Sequence, residues 1–168
     1  MGNLKNFVTS LHKQSKRNYI ERMINDKINC SSVAKNYSKD YWDGERKYGY
    51  GGYKYIPGRW KTVAEKLIET YKLNSKSKIL DAGCGKGYLL KEIKDLLPEI
   101  NITGFDISQY AVNNAHKDIK SNILIHDIRK KFPFKENEFD LTISLGTIHN
   151  LKIFEIVETI KEISRVSK

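Results

Sequence analysis

From Trp60 onward apolar residues recur at helical spacing: Trp60, Val63, Ala64, Leu67, Ile68 and Tyr71 fall at offsets 0, 3, 4, 7, 8 and 11. That stripe predicts a helix over about 58–73 with one buried face. The polar break Asn74-Ser75-Lys76-Ser77 ends it, and the short apolar run Lys78 to Ala82 then reads as a buried strand. A second helix is expected with Leu89, Leu90, Ile93, Leu96 and Leu97 inward and Pro98 just past its end. Further strands are expected over Ile102–Asp106, Asn122–Asp127 and Phe139–Leu145. Ser108 is placed to cap a helix reaching His116, and a last helix starts near Leu151 with Ile153, Phe154, Val157, Ile160, Ile163 and Val166 apolar. Strands alternating with helices imply right-handed crossovers, and so a parallel sheet covered on both faces.

Upstream the pattern weakens. Residues 1–17 are polar and basic without a period and are expected to be frayed. A short one-sided helix is expected over Asn18–Ile28, and Ser31 or Ser32 is expected to cap another through Tyr37. In residues 41–60, YWDGERKYGYGGYKYIPGRW, aromatics alternate with glycines and charges. That is too much glycine for a stable helix or strand and too many aromatics for a disordered linker, so an ordered loop is expected. The division is a basic extension over 1–57 and an α/β domain over 58–168.

At 168 residues, 39% hydrophobic and 30% charged, the chain suits one soluble domain. No apolar run approaches the ~20 residues that span a bilayer. The start, MGNLKNFVTSLHKQSKRN, lacks a secretion-signal core, and Asn6 stands where a myristoylation signal needs Ser or Thr. A cytoplasmic protein without membrane partners is the expectation. Cys30 and Cys84 suit free thiols, and no metal cluster is indicated. The net charge of +10 is concentrated upstream, where residues 1–60 hold 12 Lys and Arg against 5 Asp and Glu. That excess suits an anionic partner or simply a lysine-rich surface.

The chemistry begins at the first strand-to-helix turn, Asp81-Ala82-Gly83-Cys84-Gly85-Lys86-Gly87. In an open parallel sheet the ligand lies beyond the carboxyl ends of the strands, and this turn is its usual cradle. Gly83, Gly85 and Gly87 let a ligand approach the backbone. A dinucleotide loop, G-x-G-x-x-G, would need its third glycine at Tyr88 or Leu90, and no Walker pattern occurs. Asp106, at the end of the second strand, can accept hydrogen bonds from both hydroxyls of an adenosine ribose or can cap the next helix. Asp127, past the third strand, can accept an adenine amino proton or be a turn aspartate. Ile107 and Ile128 would then flank the adenine ring.

In their order and spacing, ILDAGCGKGYLL, GFDIS, HDI and FPFKENEFDLTISLGTIHNL resemble the successive motifs of the class I, Rossmann-like methyltransferases across residues 78 to 166. The resemblance implies a three-layer Rossmann-like sheet that binds S-adenosyl-L-methionine. Asp81 and the three glycines would hold its methionine end and adenosine, Asp106 its ribose and Asp127 its adenine. Ser144 would lie beneath the sulfonium, and His149 is the candidate base, although it can equally bond a backbone carbonyl. The family's sheet has seven strands and four are read here, so an incomplete sheet is expected, with an open fourth-strand edge that suits pairing with a second copy. Tyr50, Tyr53 and Arg59 would line a lid or, alternatively, brace the N-terminal helices; similar segments precede the core in some bacterial sugar or polysaccharide methyltransferases. The expected function is methyl transfer to an anionic or sugar-type small molecule. The alternatives are a non-catalytic cofactor-binding module and a basic nucleic-acid-binding protein.

Overall fold

A computed structural model describes residues 4–8 and 26–168. The elements run α1 (Lys27–Ala34), α2 (Lys39–Asp43), α3 (Lys61–Tyr71), β1 (Lys78–Ala82), α4 (Tyr88–Leu96), β2 (Asn101–Asp106), α5 (Gln109–Asn113), β3 (Ile123–Ile125), β4 (Leu141–Ile143) and α6 (Ile153–Val166). The four strands form one parallel sheet in the order β3-β2-β1-β4. Chain order reverses between β1 and its two neighbours, so the crevice at the carboxyl end of β1 is the topological switch point.

Strand alternation divides the core. Ile79 faces a cluster with Val63, Ala64 and Leu67 of α3 and Leu90 and Ile93 of α4. Its neighbour Leu80 faces the other way, toward Phe105, Phe132, Phe139 and Val166 of α6. Helices thus cover both faces of the sheet, the three-layer α/β architecture that the alternation of elements implied.

Several expected boundaries shift for local reasons. The helix expected to begin at Ser31 or Ser32 begins at Lys27, because Asp26 accepts the Asn29 N–H and caps it; Ser32 instead donates to the Ile28 carbonyl from inside the helix. Tyr41–Asp43, expected as loop, is helical. Ser108 does cap α5, accepting from the Ala111 N–H at 3.0 Å, but the helix stops at Asn113 rather than reaching His116. β3 and β4 are three residues each, and Phe139 lies outside the sheet, in an isolated bridge with Ser167. The expected helix over Asn18–Ile28 falls largely on residues 9–25, outside the described residues. In the described part of the tail Phe7 stacks on Tyr71, which stays exposed although it lies on the apolar stripe.

α6 buries Thr159 and Val166 but leaves Ile153, Phe154, Val157 and Ile160 exposed. At the edge of the sheet, β4 pairs only with β1 among the described residues. No helix among the described residues is long and apolar enough to cross a membrane.

Gly87 fixes the entry to α4. It is left-handed, and a Cβ there would lie 2.3 Å from Ile119 Cδ1 and 2.5 Å from Ile123 Cδ1. Gly87→Ala combines left-handed strain of about 1–2 kcal/mol with overpacking of about 1–3 kcal/mol. The expected result is a loss of roughly 2–5 kcal/mol in urea unfolding, and a variant within about 0.5 kcal/mol of wild type would contradict this packing.

Candidate functional site

The turn after β1 is hooked onto β2: the N–H groups of Gly83 and Cys84 both donate to the Phe105 carbonyl, at 2.8 and 3.0 Å. This closes the turn tightly enough that Gly83, Gly85 and Gly87 all take positive φ. Asp81 and Asp106 then stand at adjacent strand ends, since Asp81 pairs in register with Gly104.

The two carboxylates differ in their partners. Asp106 is 8% exposed and accepts two backbone N–H groups, Gly85 on Oδ2 and Ser108 on Oδ1, each at 2.8 Å. Burial raises its pKa, and those two donors pull it back. Asp81 is 4% exposed, and its Oδ1 is buried with no hydrogen-bond partner. Burial, aided by the charge of Asp106, pushes its pKa up to about 7. A buried acceptor without a donor is costly, and in a native fold it calls for an explanation, a role toward a ligand being one. Burial likewise raises the Cys84 thiol well above its ordinary value; Cys30 and Cys84 are both free.

The expected adenine contacts separate. Ile107 is exposed beside a shallow cleft of about 460 Å³ whose other wall includes Tyr37 and Ser38. Ile128 is buried in the second core cluster with Phe105 and Phe132. Asp127 is held by Arg129, whose Nε donates to Oδ1 at 2.8 Å and whose Nη2 donates to Oδ2 at 2.7 Å. Those bonds hold the Asp127 carboxyl below its usual range. Ser144 donates to the Ala82 carbonyl at 2.9 Å, tying β4 to the end of β1. His149 is exposed in the turn Ile148–Asn150.

The aromatic segment lies on the glycine turn. Trp42, 6% exposed, places Cη2 2.7 Å from where a Gly85 Cβ would be, and its Nε1 donates to Ser108 Oγ at 2.8 Å. Tyr50 stacks on Trp42 with centroids 5.2 Å apart, and Tyr53 packs between Tyr50 and Tyr88. Burial raises the Tyr53 hydroxyl pKa, with smaller contributions from Tyr50, Tyr88 and Asp81. Arg59 is exposed in the turn before α3.

Four residues here were missed by sequence reasoning. Thr147 donates to the Gly83 carbonyl at 3.2 Å and fills the space a Gly83 Cβ would need. Trp42, Asp43 and Lys86 join the segment to the turn. Trp42 and Asp43 were signalled only by the aromatic richness of 41–60, and Lys86 only by its place in the glycine turn.

Residues 79–168 match a family model described as a methyltransferase domain. The ribosomal RNA small subunit methyltransferase C of Haemophilus influenzae (strain PittGG) is 34% identical over 109 residues, covering 64% of this chain and 33% of that protein. The malonyl-acyl-carrier-protein O-methyltransferase of Bacillus anthracis is 28% identical over 111 residues, covering 62% of this chain and 39% of that protein. The chain therefore spans about a third of the length of these curated relatives. A solved SAM-dependent methyltransferase from Aquifex aeolicus shares the fold with TM-score 0.53 and 24% identity, covering 68% of this chain and 63% of that one. The 4+2 cyclase SpnF shares it with TM-score 0.56 and 24% identity, covering 64% and 41%.

Proposed function

This chain belongs to the methyltransferase-domain family through residues 79–168, and from that premise we propose that it binds S-adenosyl-L-methionine at the carboxyl ends of β1 and β2 and transfers its methyl group to an acceptor. The observation that carries this reading is the unpartnered, buried Oδ1 of Asp81 at the lip of a glycine turn, one strand from Asp106. The residues fit the cofactor. Asp81 would accept from its ammonium group, the backbone of Gly83 to Gly87 would follow its chain, and Asp106 has lone pairs left for ribose hydroxyls. Ile107 would offer an apolar face to the adenine ring, and Ser144 would line the floor near the sulfur. Asp127 is proposed as the adenine partner through lone pairs that Arg129 leaves open. When bound, the cofactor supplies a methyl group on a positively charged sulfur, so the chain's main task is alignment. His149 is proposed as a base for acceptors whose hydroxyl or amine is not already activated.

For the acceptor we propose an anionic small molecule, a sugar phosphate or carboxylate being the type of choice. Lys39, Lys47, Lys54 and Arg59 are exposed on the segment that lies over the turn, a charge excess that draws anions toward the site. The curated relative named for ribosomal RNA makes RNA the second reading, and the interleaving of these cations with tyrosines favours it.

Calorimetric titration with S-adenosyl-L-methionine tests the cofactor, and absence of heat at millimolar concentrations would defeat the reading. A labelled-methyl screen against anionic sugars, acyl carboxylates and RNA then separates the acceptors. Binding without transfer to any of them would leave a cofactor-binding module.

A further inference from the structure

The aromatic segment is tied to the glycine turn by charge as well as by packing. Lys86, inside the turn, has a side chain only 5% exposed, and its Nζ donates to both oxygens of Asp43, at 2.9 and 2.7 Å, and to the Tyr53 carbonyl at 2.8 Å. Asp43 in turn accepts from the Tyr53 N–H at 2.9 Å and from the Tyr110 hydroxyl at 2.8 Å. A buried ion pair is a net gain only when its spare donors and acceptors are matched. Here the ammonium meets three acceptors, and the carboxylate meets donors from three residues.

Asp43 directly follows Trp42, so the ion pair and the indole are fixed together. The indole lies against Gly85 and bonds Ser108, and these are the two residues whose N–H groups hold Asp106. Trp42 therefore covers the floor on which a ribose would rest. Stacking from Trp42 through Tyr50 and Tyr53 to Tyr88 makes the cover one unit. Its far end is moored separately, because Glu92 accepts the Gly58 N–H at 2.7 Å and the Tyr55 hydroxyl at 3.2 Å.

Resting on the reading that the glycine turn is the cofactor site, we infer that Asp43 and Lys86 form a latch which positions Trp42 and its stacked tyrosines as the gate of that site, lifted for cofactor entry and product release. Asp43 and Lys86 are positioning residues: they act through Trp42 and set how often the gate opens. Weakening the pair speeds both entry and release, so exchange rates move more than the dissociation constant does.

The test is solvent exchange of the Trp42 indole N–H in the ligand-free, isotope-labelled chain, with the Ile93 amide in α4 reporting that the core is intact. In Asp43→Asn and Lys86→Met the Trp42 signal is expected to exchange about tenfold or more faster while Ile93 keeps its protection. Stopped-flow release of S-adenosyl-L-homocysteine is expected to accelerate by a similar factor. Tyr110→Phe, which removes one donor and leaves the pair, is expected to give a change of about threefold in the same direction. It carries the test should the charge variants fail to fold. Unchanged Trp42 exchange in folded variants would overturn the latch. A wild-type chain that gives no heat with S-adenosyl-L-methionine would instead overturn the reading beneath it, so the two failures are distinguishable.

Discussion

Asp106→Ala is expected to reduce binding of S-adenosyl-L-methionine by at least about a hundredfold and to destabilise the chain, because on the proposed reading one carboxylate serves both the fold and the ligand. Its two oxygens accept the Gly85 and Ser108 N–H groups, each at 2.8 Å and buried. Removing them strands two buried backbone donors at roughly 1–3 kcal/mol each. The ligand also loses its ribose anchor, a pair of charge-assisted bonds worth roughly 1.5–3 kcal/mol apiece. Asp106→Asn separates the two effects. Its single carbonyl oxygen retains one of the two backbone donors, so the fold survives with a smaller loss, while the charge that strengthens the ribose bonds is gone. Calorimetry with the cofactor and thermal unfolding on the same samples check both. An alanine variant that binds within about threefold of wild type would place the ribose elsewhere.

What the sequence revealed, and what it did not, follows from how local each cause is. β1 was legible to the residue because Ile79 and Leu80 are both apolar and lie on opposite faces, the mark of a strand buried on both sides. Ser108 announced its helix because capping involves residues three apart. The positions of Asp81 and Asp106 at adjacent strand ends followed once the strands were read, because parallel register places the ends of neighbouring strands side by side. Trp42 over Gly85 and Asp43 on Lys86 join residues 43 apart in the chain, and no periodicity encodes such a meeting. The burial of Ile128 was illegible for a related reason: a residue just past a short strand turns inward or outward according to the helix that later covers it, here α6, whose Thr159 donates to the Ile128 carbonyl. Asp127 stayed open between an adenine contact and a turn role because nothing in the sequence shows whether the arginine two residues on turns back to it.

The second large effect is a pH dependence set by Asp81. Its carboxyl is pushed up to about 7 in the folded chain against an ordinary value of 3.8, by burial first and by the charge of Asp106 second. The folded state therefore holds a proton that the unfolded chain has released between about pH 4 and pH 7. Below that window the contribution to stability is fully present; it is lost as pH rises through the folded value, and above about 7 the buried charge remains as a standing cost. Each pH unit of that window is worth about 1.4 kcal/mol, so the ionised, unpartnered carboxylate costs the ligand-free chain on the order of a few kcal/mol.

Binding runs the other way. A ligand ammonium beside Asp81 favours the ionised carboxylate, so cofactor affinity is expected to climb as pH rises toward about 7, by up to roughly tenfold for each pH unit, and then level off. It should fall again once the ligand's own α-amino group, with an ordinary pKa near about 8, gives up its proton. Asp81→Asn abolishes the rising limb, leaves affinity near the low-pH level, and raises the stability of the ligand-free chain above about pH 7, since no charge remains buried. That exchange of stability for binding is what an unpartnered carboxylate kept for a ligand entails. Calorimetry from about pH 5.5 to 8.5, paired with urea unfolding over the same range, reads both curves, and an affinity that stays flat between about pH 5.5 and 7 would remove Asp81 from the ammonium site.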